Sequence, residues 1–139
     1  MAESIIIHFR EIDENELITC LDQHFDRHSE ESWYHPKNDY LVIITRYTHY
    51  STEYEDEDKT SLQDKLGGDP TISYDFEIRR SRSDEACDLL EPFIRNELKV
   101  FNFVVDDMFN LYSKSELDSV SDFLDIYRYK NSAEQGNSH

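Results

Sequence analysis

The chain has 139 residues, with 14 Lys and Arg against 31 Asp and Glu, which gives a formal net charge of −17 at pH 7. Its length is that of one domain of ordinary size. Because phosphate backbones and anionic lipid repel so acidic a chain, the composition argues against direct binding of nucleic acid or membranes and favours a basic protein as the partner.

Local patterning near the start of the chain predicts a strand, a helix and a loop. Residues 4–10 begin with isoleucines and are predicted to form a buried strand. Asp13 and Glu16 have the spacing of a helix-capping box, and the apolar residues after them recur at helical spacing, which predicts a helix over residues 14–27. Residues 28–38 are polar and contain a proline, so we expect a loop there.

The middle of the chain is predicted to place an acidic connection between two strands. Residues 40–50 are rich in Val, Ile, Thr and Tyr and are predicted to form a long strand. Residues 51–70 carry seven acidic residues against two lysines, a local net charge of −5. Leu62 and Leu66 indicate one short helical turn in that stretch, and the rest of it should be mobile. Residues 72–78 alternate strictly between apolar and polar, which predicts a strand with one buried and one solvated side.

A helix, a fourth strand and a last helix are predicted in the remaining third. Apolar residues at helical spacing follow the capping residue Ser83, and Pro92 is expected to kink or break that helix because it has no backbone N–H. Residues 100–105 are predicted to form the fourth strand. Ser113 and Glu116 form a second capping box ahead of a last amphipathic helix.

The predicted element order is β-α-β-β-α-β-α, which indicates an α+β fold. Its first six elements match the ferredoxin-like split βαβ arrangement, in which two helices cover one face of a four-stranded antiparallel sheet. The extra C-terminal helix would cover an edge or part of the other face. We therefore expect one α+β domain over residues 1–129 and a disordered tail over residues 130–139, where apolar periodicity is absent.

Cysteine usage and the first residues favour a cytoplasmic protein. Cys20 and Cys87 each fall within a predicted helix, on or beside its apolar side, which favours buried free thiols over a disulfide. The apolar run of residues 5–7 follows no basic residue and is too short for a signal peptide or a membrane span.

Two features indicate a metal-dependent small-ligand enzyme as one functional alternative. His24 and His28 lie four residues apart near the end of the first predicted helix, where both imidazoles could share zinc or nickel. Asp106 and Asp107 follow the fourth strand and could hold magnesium or act as acid and base. A chance histidine spacing and a strand-ending acidic pair explain both patterns more simply, so we assign no metal ligand, catalytic residue or cofactor.

A run of acidic residues beside tyrosines indicates a different function, the binding of a basic protein. The run does not fit a calcium-binding EF-hand, because with Asp56 as the first ligand the required glycine and glutamate positions hold Ser61 and Gly67. Carboxylates steer a cationic partner, and tyrosines are common interface anchors. The predicted partner-binding residues are Tyr47, Tyr50, Glu53, Tyr54, Glu55, Asp56, Glu57 and Asp58.

The function that these features favour is that of a non-enzymatic acidic protein that inhibits or regulates a cationic protein, as immunity proteins and nuclease inhibitors do. The sequence has no phosphate-binding loop, dinucleotide fingerprint or nucleophile motif. Three alternatives remain open: acidity that serves only solubility, the metal-dependent enzyme, and a homodimer formed through the open face of the sheet.

Overall fold

The computed structural model describes residues 3–35, 40–120 and 123–127. Within those ranges the chain forms seven strands and five α-helices. The strands are β1 (Glu3–Phe9), β2 (Asp26–Ser29), β3 (Ser32–His35), β4 (Val42–Arg46), β5 (Ile72–Ile78), β6 (Phe103–Asp106) and β7 (Leu111–Ser113). The helices are α1 (Glu14–His24), α2 (Tyr50–Glu53), α3 (Asp56–Leu66), α4 (Ser83–Pro92) and α5 (Lys114–Asp118).

All seven strands form one antiparallel sheet in the order β2-β3-β4-β5-β1-β6-β7. β1 and β5 lie at its centre, with Ile5 opposite Phe76 and Ile7 opposite Tyr74. Because successive side chains point to opposite faces, one face carries these apolar residues and the other carries more polar ones. The fold is α+β, as predicted, but the expected four-stranded sheet is wrong because three further strands extend it.

The apolar face of the sheet is covered by α1 and α4 and holds the main hydrophobic core. Leu17 and Leu21 of α1, and Ala86 and Leu90 of α4, are fully buried against the sheet. Buried apolar area of this kind is the main stabilising contribution to a small domain. The opposite face of the sheet, which we call the second face, is not covered by these two helices.

Several local predictions are confirmed. β1 and β5 form where the sequence predicts them, and α-helical structure gives way to a π-helical turn over Phe93–Glu97 directly after Pro92. Asp13 caps α1, since its carboxylate accepts a hydrogen bond from the backbone N–H of Asn15 at 2.9 Å. Ser113 and Glu116 form the predicted capping box at the start of α5.

The loop predicted over residues 28–38 is wrong, because β2 and β3 form a hairpin at the edge of the sheet. α1 ends at His24 rather than at residue 27, and the extended residue Phe25 leads straight into β2. The pairing of β2 with β3 shifts register between Arg27 and Ser29. Trp33 of β3 is completely buried, which anchors the hairpin to the core.

The mobile acidic connection predicted over residues 51–70 is also wrong, since α2 and α3 occupy most of it. The preceding strand ends at Arg46, earlier than predicted. The first turn of α3 consists of acidic residues, which the helix dipole stabilises. Leu62 and Leu66 are buried against Val104 on the second face of the sheet, and Gly67 ends the helix in a left-handed conformation with φ of 96°.

The C-terminal helix is shorter than predicted. α5 ends at Asp118, where the guanidinium of Arg95 donates hydrogen bonds to the carbonyls of Leu117 and Val120. The carbonyl of Leu117 also accepts from the backbone N–H of Val120 at 3.1 Å, so the arginine adds side-chain hydrogen bonds where the helix ends. The predicted tail over residues 130–139 lies outside the described residues.

Both cysteines are free, as predicted, with Cys87 buried and Cys20 partly buried. Burial, aided by the charge of Glu97, raises the pKa of the Cys20 thiol to about 11, so it is a weak nucleophile. In the described ranges no helix has both the length and the apolar character that a membrane span requires.

Candidate functional site

The second face of the sheet is only partly covered, and the uncovered part is a pocket. α3 packs over β6 through Leu62 and Leu66. Beside it lies a depression of about 430 Å³, which we call the acidic pocket. The face expected to be open for pairing with a second copy is therefore occupied in part by a helix. The acidic pocket is lined by Ser4, Ile6, Tyr47, Glu53, Tyr54, Asp58, Asp75, Asp106, Met108, Phe109, Asn110 and Leu111.

The register of the sheet brings two carboxylates together at the floor of the acidic pocket. Ile6 of β1 lies opposite Asp75 of β5 on one side and opposite Asp106 of β6 on the other. Residues opposite one another in an antiparallel sheet point to the same face, so both carboxylates flank Ile6 on the second face. Two acids far apart in sequence thus become neighbours across one central strand.

A chain of buried hydrogen bonds runs behind the pocket floor. Nδ1 of His8 lies 2.7 Å from the hydroxyl of Ser73, and its Nε2 lies 2.8 Å from the hydroxyl of Tyr54. Tyr54 in turn donates a hydrogen bond to Asp106. With Asp106 ionised, the phenol oxygen must accept from Nε2–H of His8, and Nδ1 accepts from Ser73. The direction of every bond in the chain follows from the carboxylate at its end.

Burial keeps the imidazole in this chain neutral. His8 is completely buried, and this desolvation lowers its pKa to about 3. Three tyrosine rings pack edge-on around the imidazole, with centroids 6.3 Å away for Tyr47, 5.8 Å for Tyr50 and 5.3 Å for Tyr54. His8 therefore positions Tyr54 and, through it, Asp106.

This chain of hydrogen bonds is not a hydrolytic triad, although it links a serine to a histidine and, through Tyr54, to a carboxylate. Ser73 is only 4% exposed and His8 is not exposed at all. A nucleophilic serine must reach its substrate, and this hydroxyl lies beneath the tyrosines. The chain is better suited to holding the pocket walls in place than to attacking a bond.

The carboxylates of the acidic pocket differ in their surroundings from several acids elsewhere in the chain. Asp22 is paired with Arg27 at 2.9 Å, and Glu116 is paired with Lys65 at 2.8 Å. Over the described ranges, no Lys or Arg forms an ion pair with the four pocket carboxylates, which are Glu53, Asp58, Asp75 and Asp106. The pocket is thus a local concentration of uncompensated negative charge.

Asp75 has one carboxylate oxygen without a hydrogen-bond partner among the described residues, although Ser4 forms a hydrogen bond with its side chain. The oxygen without a partner there is Oδ1, which is buried. Burial raises the pKa of Asp75, and burial also raises the pKa of Asp106. An ionised carboxylate in such surroundings gains free energy from any donor that reaches it.

The predicted partner-binding residues divide between the pocket and its border. Tyr47 and Tyr54 line the pocket, where Tyr47 donates to Glu53 at 2.7 Å, whereas Tyr50 turns away and donates to Asp69 at 3.2 Å. Burial raises the pKa of Tyr47, so its phenol stays protonated. The other predicted acids that do not line the pocket are exposed around the start of α3, and we call Glu55, Asp56 and Glu57 the acidic rim.

A loop that the sequence did not single out forms one wall of the pocket. It joins β6 to β7 and presents Met108 at 59% and Phe109 at 77% exposure. The carboxylate of Asp107 fixes it by accepting hydrogen bonds from the N–H groups of Phe109 at 2.9 Å and Asn110 at 2.6 Å. Met108 has a φ of 77°, a conformation that costs free energy for a side chain of this kind. Two large apolar side chains are therefore exposed to solvent on an ordered loop.

Over the described ranges, His24 and His28 do not share one face of a helix as expected for a metal site. α1 ends at His24, which lies 3.4 Å from Glu97, while His28 is on β2 and packs against Tyr34. No group of three or more His, Cys, Asp or Glu side chains in the described parts of the chain is placed to hold a metal ion. Asp107 is 1% exposed and orders the loop, so it does not act with Asp106 as a paired site.

A second depression, of about 560 Å³, lies along α1 and next to the exposed Val100. It is more open than the acidic pocket, and its polar residues form no converging network of hydrogen bonds. The acidic pocket is therefore the stronger candidate for a binding site.

Comparison of the chain with protein-family models, with curated proteins and with solved structures found no match.

Proposed function

We propose that this protein is a non-enzymatic acidic binding protein that inhibits or regulates a cationic protein, in the manner of an immunity protein or a nuclease inhibitor. The acidic pocket and the acidic rim would form its contact surface. The observation that carries the proposal is the grouping of the four pocket carboxylates with the three acids of the rim, to which no Lys or Arg forms an ion pair within the described residues.

The charge arrangement supports inhibition by occupation of a basic cleft. An uncompensated negative surface attracts a basic partner over a distance set by salt screening, and it accelerates encounter. Carboxylates that occupy the place of phosphates would exclude nucleic acid from the cleft. The tyrosines and Phe109 add rigid aromatic area, which is typical of residues that dominate interface free energy.

We further propose that the central strands β4-β5-β1-β6 form a ferredoxin-like unit. The support is their order and antiparallel pairing, together with α1 between β1 and β4 and α4 between β5 and β6. The β2–β3 hairpin and β7 would then be additions at the two edges. A cytoplasmic location is likewise proposed, on the support of the two free cysteines.

Neutralising the acidic rim is expected to weaken capture of a basic partner about tenfold. The triple variant Glu55→Gln, Asp56→Asn and Glu57→Gln removes three exposed charges, each contributing on the order of 0.5 kcal/mol to a charged contact. The measurement is capture from cell lysate on immobilised protein at low and moderate salt. Each captured basic protein is then purified, and its affinity and its nuclease activity are determined with and without this protein.

The matched control is Glu16→Gln, Glu30→Gln and Asp118→Asn, which removes the same charge from exposed positions outside the acidic pocket and the acidic rim. It should bind the captured partner as the wild type does. Equal loss of affinity in both triple variants, or recovery of no basic protein at either salt concentration, contradicts the proposed function.

A further inference from the structure

The hydrogen-bonding groups of the acidic pocket are unbalanced toward acceptors. The hydroxyl protons of Tyr47 and Tyr54 are both directed at carboxylates, Glu53 and Asp106 respectively. Oδ1 of Asp106 already accepts from the N–H of Met108 at 2.7 Å. The two tyrosine hydroxyls therefore have no proton left for a ligand, and a ligand that binds to the carboxylates must itself supply donors.

Asp75 identifies where such a donor is needed. Its Oδ1 atom is buried without a partner, and the neighbouring position across Ile6 is the carboxylate of Asp106. A buried acceptor left unpaired is costly, so the free protein is destabilised at this point. A cation with several N–H groups would pair Asp75 and at the same time reach a second carboxylate.

The size and the wall of the pocket favour a planar organic cation over a metal ion. The volume of about 430 Å³ falls in the range of organic ligand pockets. The exposed ring of Phe109 and the thioether of Met108 flank the acids and would cover an apolar stem. Guanidinium groups combine five donors with a flat face that stacks on aromatic rings, which a lysine ammonium lacks.

We propose that the acidic pocket binds the guanidinium group of an arginine side chain that the basic partner presents. This inference rests on the proposed function and names the chemical group that the site recognises. Asp75 and Asp106 receive the N–H donors, and Phe109 covers the stem and the face of the group. Tyr54 and His8 are positioning residues that hold Asp106.

The test is a titration of the full chain with N-acetylarginine amide, followed by two-dimensional NMR. We expect saturable shifts centred on the backbone amides of Ile6, Asp75 and Asp106, with a Kd on the order of 1 mM. N-acetylcitrulline amide has the same shape without the charge and should bind at least about tenfold more weakly. A short peptide with a central arginine should bind more tightly than the amide, whereas a site for a free small guanidinium compound would reject the peptide and overturn the proposal.

Two variants locate the interaction. Asp75→Asn keeps the shape of the side chain and should weaken binding of N-acetylarginine amide about tenfold, whereas Asp118→Asn on α5 should leave it unchanged. If Asp75→Asn lowers the melting temperature, binding of N-acetylarginine amide is measured with Phe109→Ala instead, since this substitution alters only an exposed side chain. Phe109→Ala should weaken that binding about threefold.

The outcomes separate this inference from the proposed function. Equal binding of the citrulline compound, or shifts confined to the acidic rim, would overturn the guanidinium site while capture of a basic partner still stands. Binding at the pocket without any captured partner would support the site and reject the proposed function. Failure of both experiments rejects both.

Discussion

The free energy of unfolding is expected to fall by roughly 4 kcal/mol on acidification from pH 6.5 to about pH 3 on account of His8 alone, at about 1.4 kcal/mol per pH unit. The unfolded chain protonates this imidazole near the ordinary histidine pKa of 6.5, whereas burial keeps the folded pKa at about 3. Between these values the unfolded state binds one more proton, so stability is fully present above pH 6.5 and is lost as the pH falls.

Other titratable groups of the chain modify this pH dependence with known signs. The raised pKa values of Asp75 and Asp106 make the folded state take up protons earlier, which opposes the loss at low pH. Glu116, whose pKa is lowered to about 2 mainly by its hydrogen bond to Lys65, adds to the loss below the ordinary glutamate pKa of 4.5. A comparison of variants is therefore needed to isolate His8.

Urea unfolding of the wild type and of His8→Asn, measured between pH 7 and pH 4, isolates this contribution. His8→Asn should be less stable at pH 7, because it breaks the hydrogen bonds to Ser73 and Tyr54, but its stability should depend on pH by about one proton less. Ser61→Ala, which removes no titratable group and lies at an exposed position, should keep the wild-type slope. Parallel slopes for wild type and His8→Asn would show that His8 is not a buried neutral group.

Truncation of Leu62 is expected to lower the free energy of unfolding by about 3 kcal/mol. Its side chain projects from α3, is completely buried, and packs in a small cluster with Leu66 and Val104. In so small a cluster few neighbouring side chains can fill the cavity that truncation would leave. Loss of that contact would also loosen the tyrosines that line the acidic pocket, since Tyr54 packs on the same cluster. Leu62→Ala should thus weaken binding at the pocket as well as stability.

Chemical unfolding of Leu62→Ala beside Ser61→Ala measures the effect. Ser61 is its exposed neighbour on α3, so its substitution should change stability by less than about 0.5 kcal/mol. If the two variants were equally stable, residues 56–66 would be the mobile connection that the sequence alone predicts, and the pocket would lack its supporting helix.

The strands with strong periodicity were predictable, and the elements formed by tertiary contacts were not. β5 alternates strictly, so its position follows from the sequence. β2 consists of Asp26–Ser29 and has no apolar side, so periodicity does not reveal it. It forms at the edge of the sheet because its backbone pairs with β3, which the buried Trp33 anchors. Only one turn of α3 was predicted, from Leu62 and Leu66, because the first half of the helix has no apolar residue at helical spacing.

The candidate site was predicted in part. Of the residues singled out between positions 47 and 58, Tyr47, Glu53, Tyr54 and Asp58 line the pocket, but the position of its floor depends on the register of β1 with β5 and β6. The alternation of β5 places Asp75 on the polar side of the strand. That side is predicted from the sequence to be solvated. No local signal placed it beside Asp106. Phe109 was missed because exposure of an aromatic residue in a loop cannot be read from periodicity.

The two outermost strands of the sheet have a consequence for self-association. β2 is interrupted by a register shift between Arg27 and Ser29, and β7 has only three residues before the chain enters α5. Neither offers the straight, unbroken row of peptide groups on which a second copy could add its own strand. Both edges of the seven-stranded sheet are thus poor templates for edge-to-edge growth.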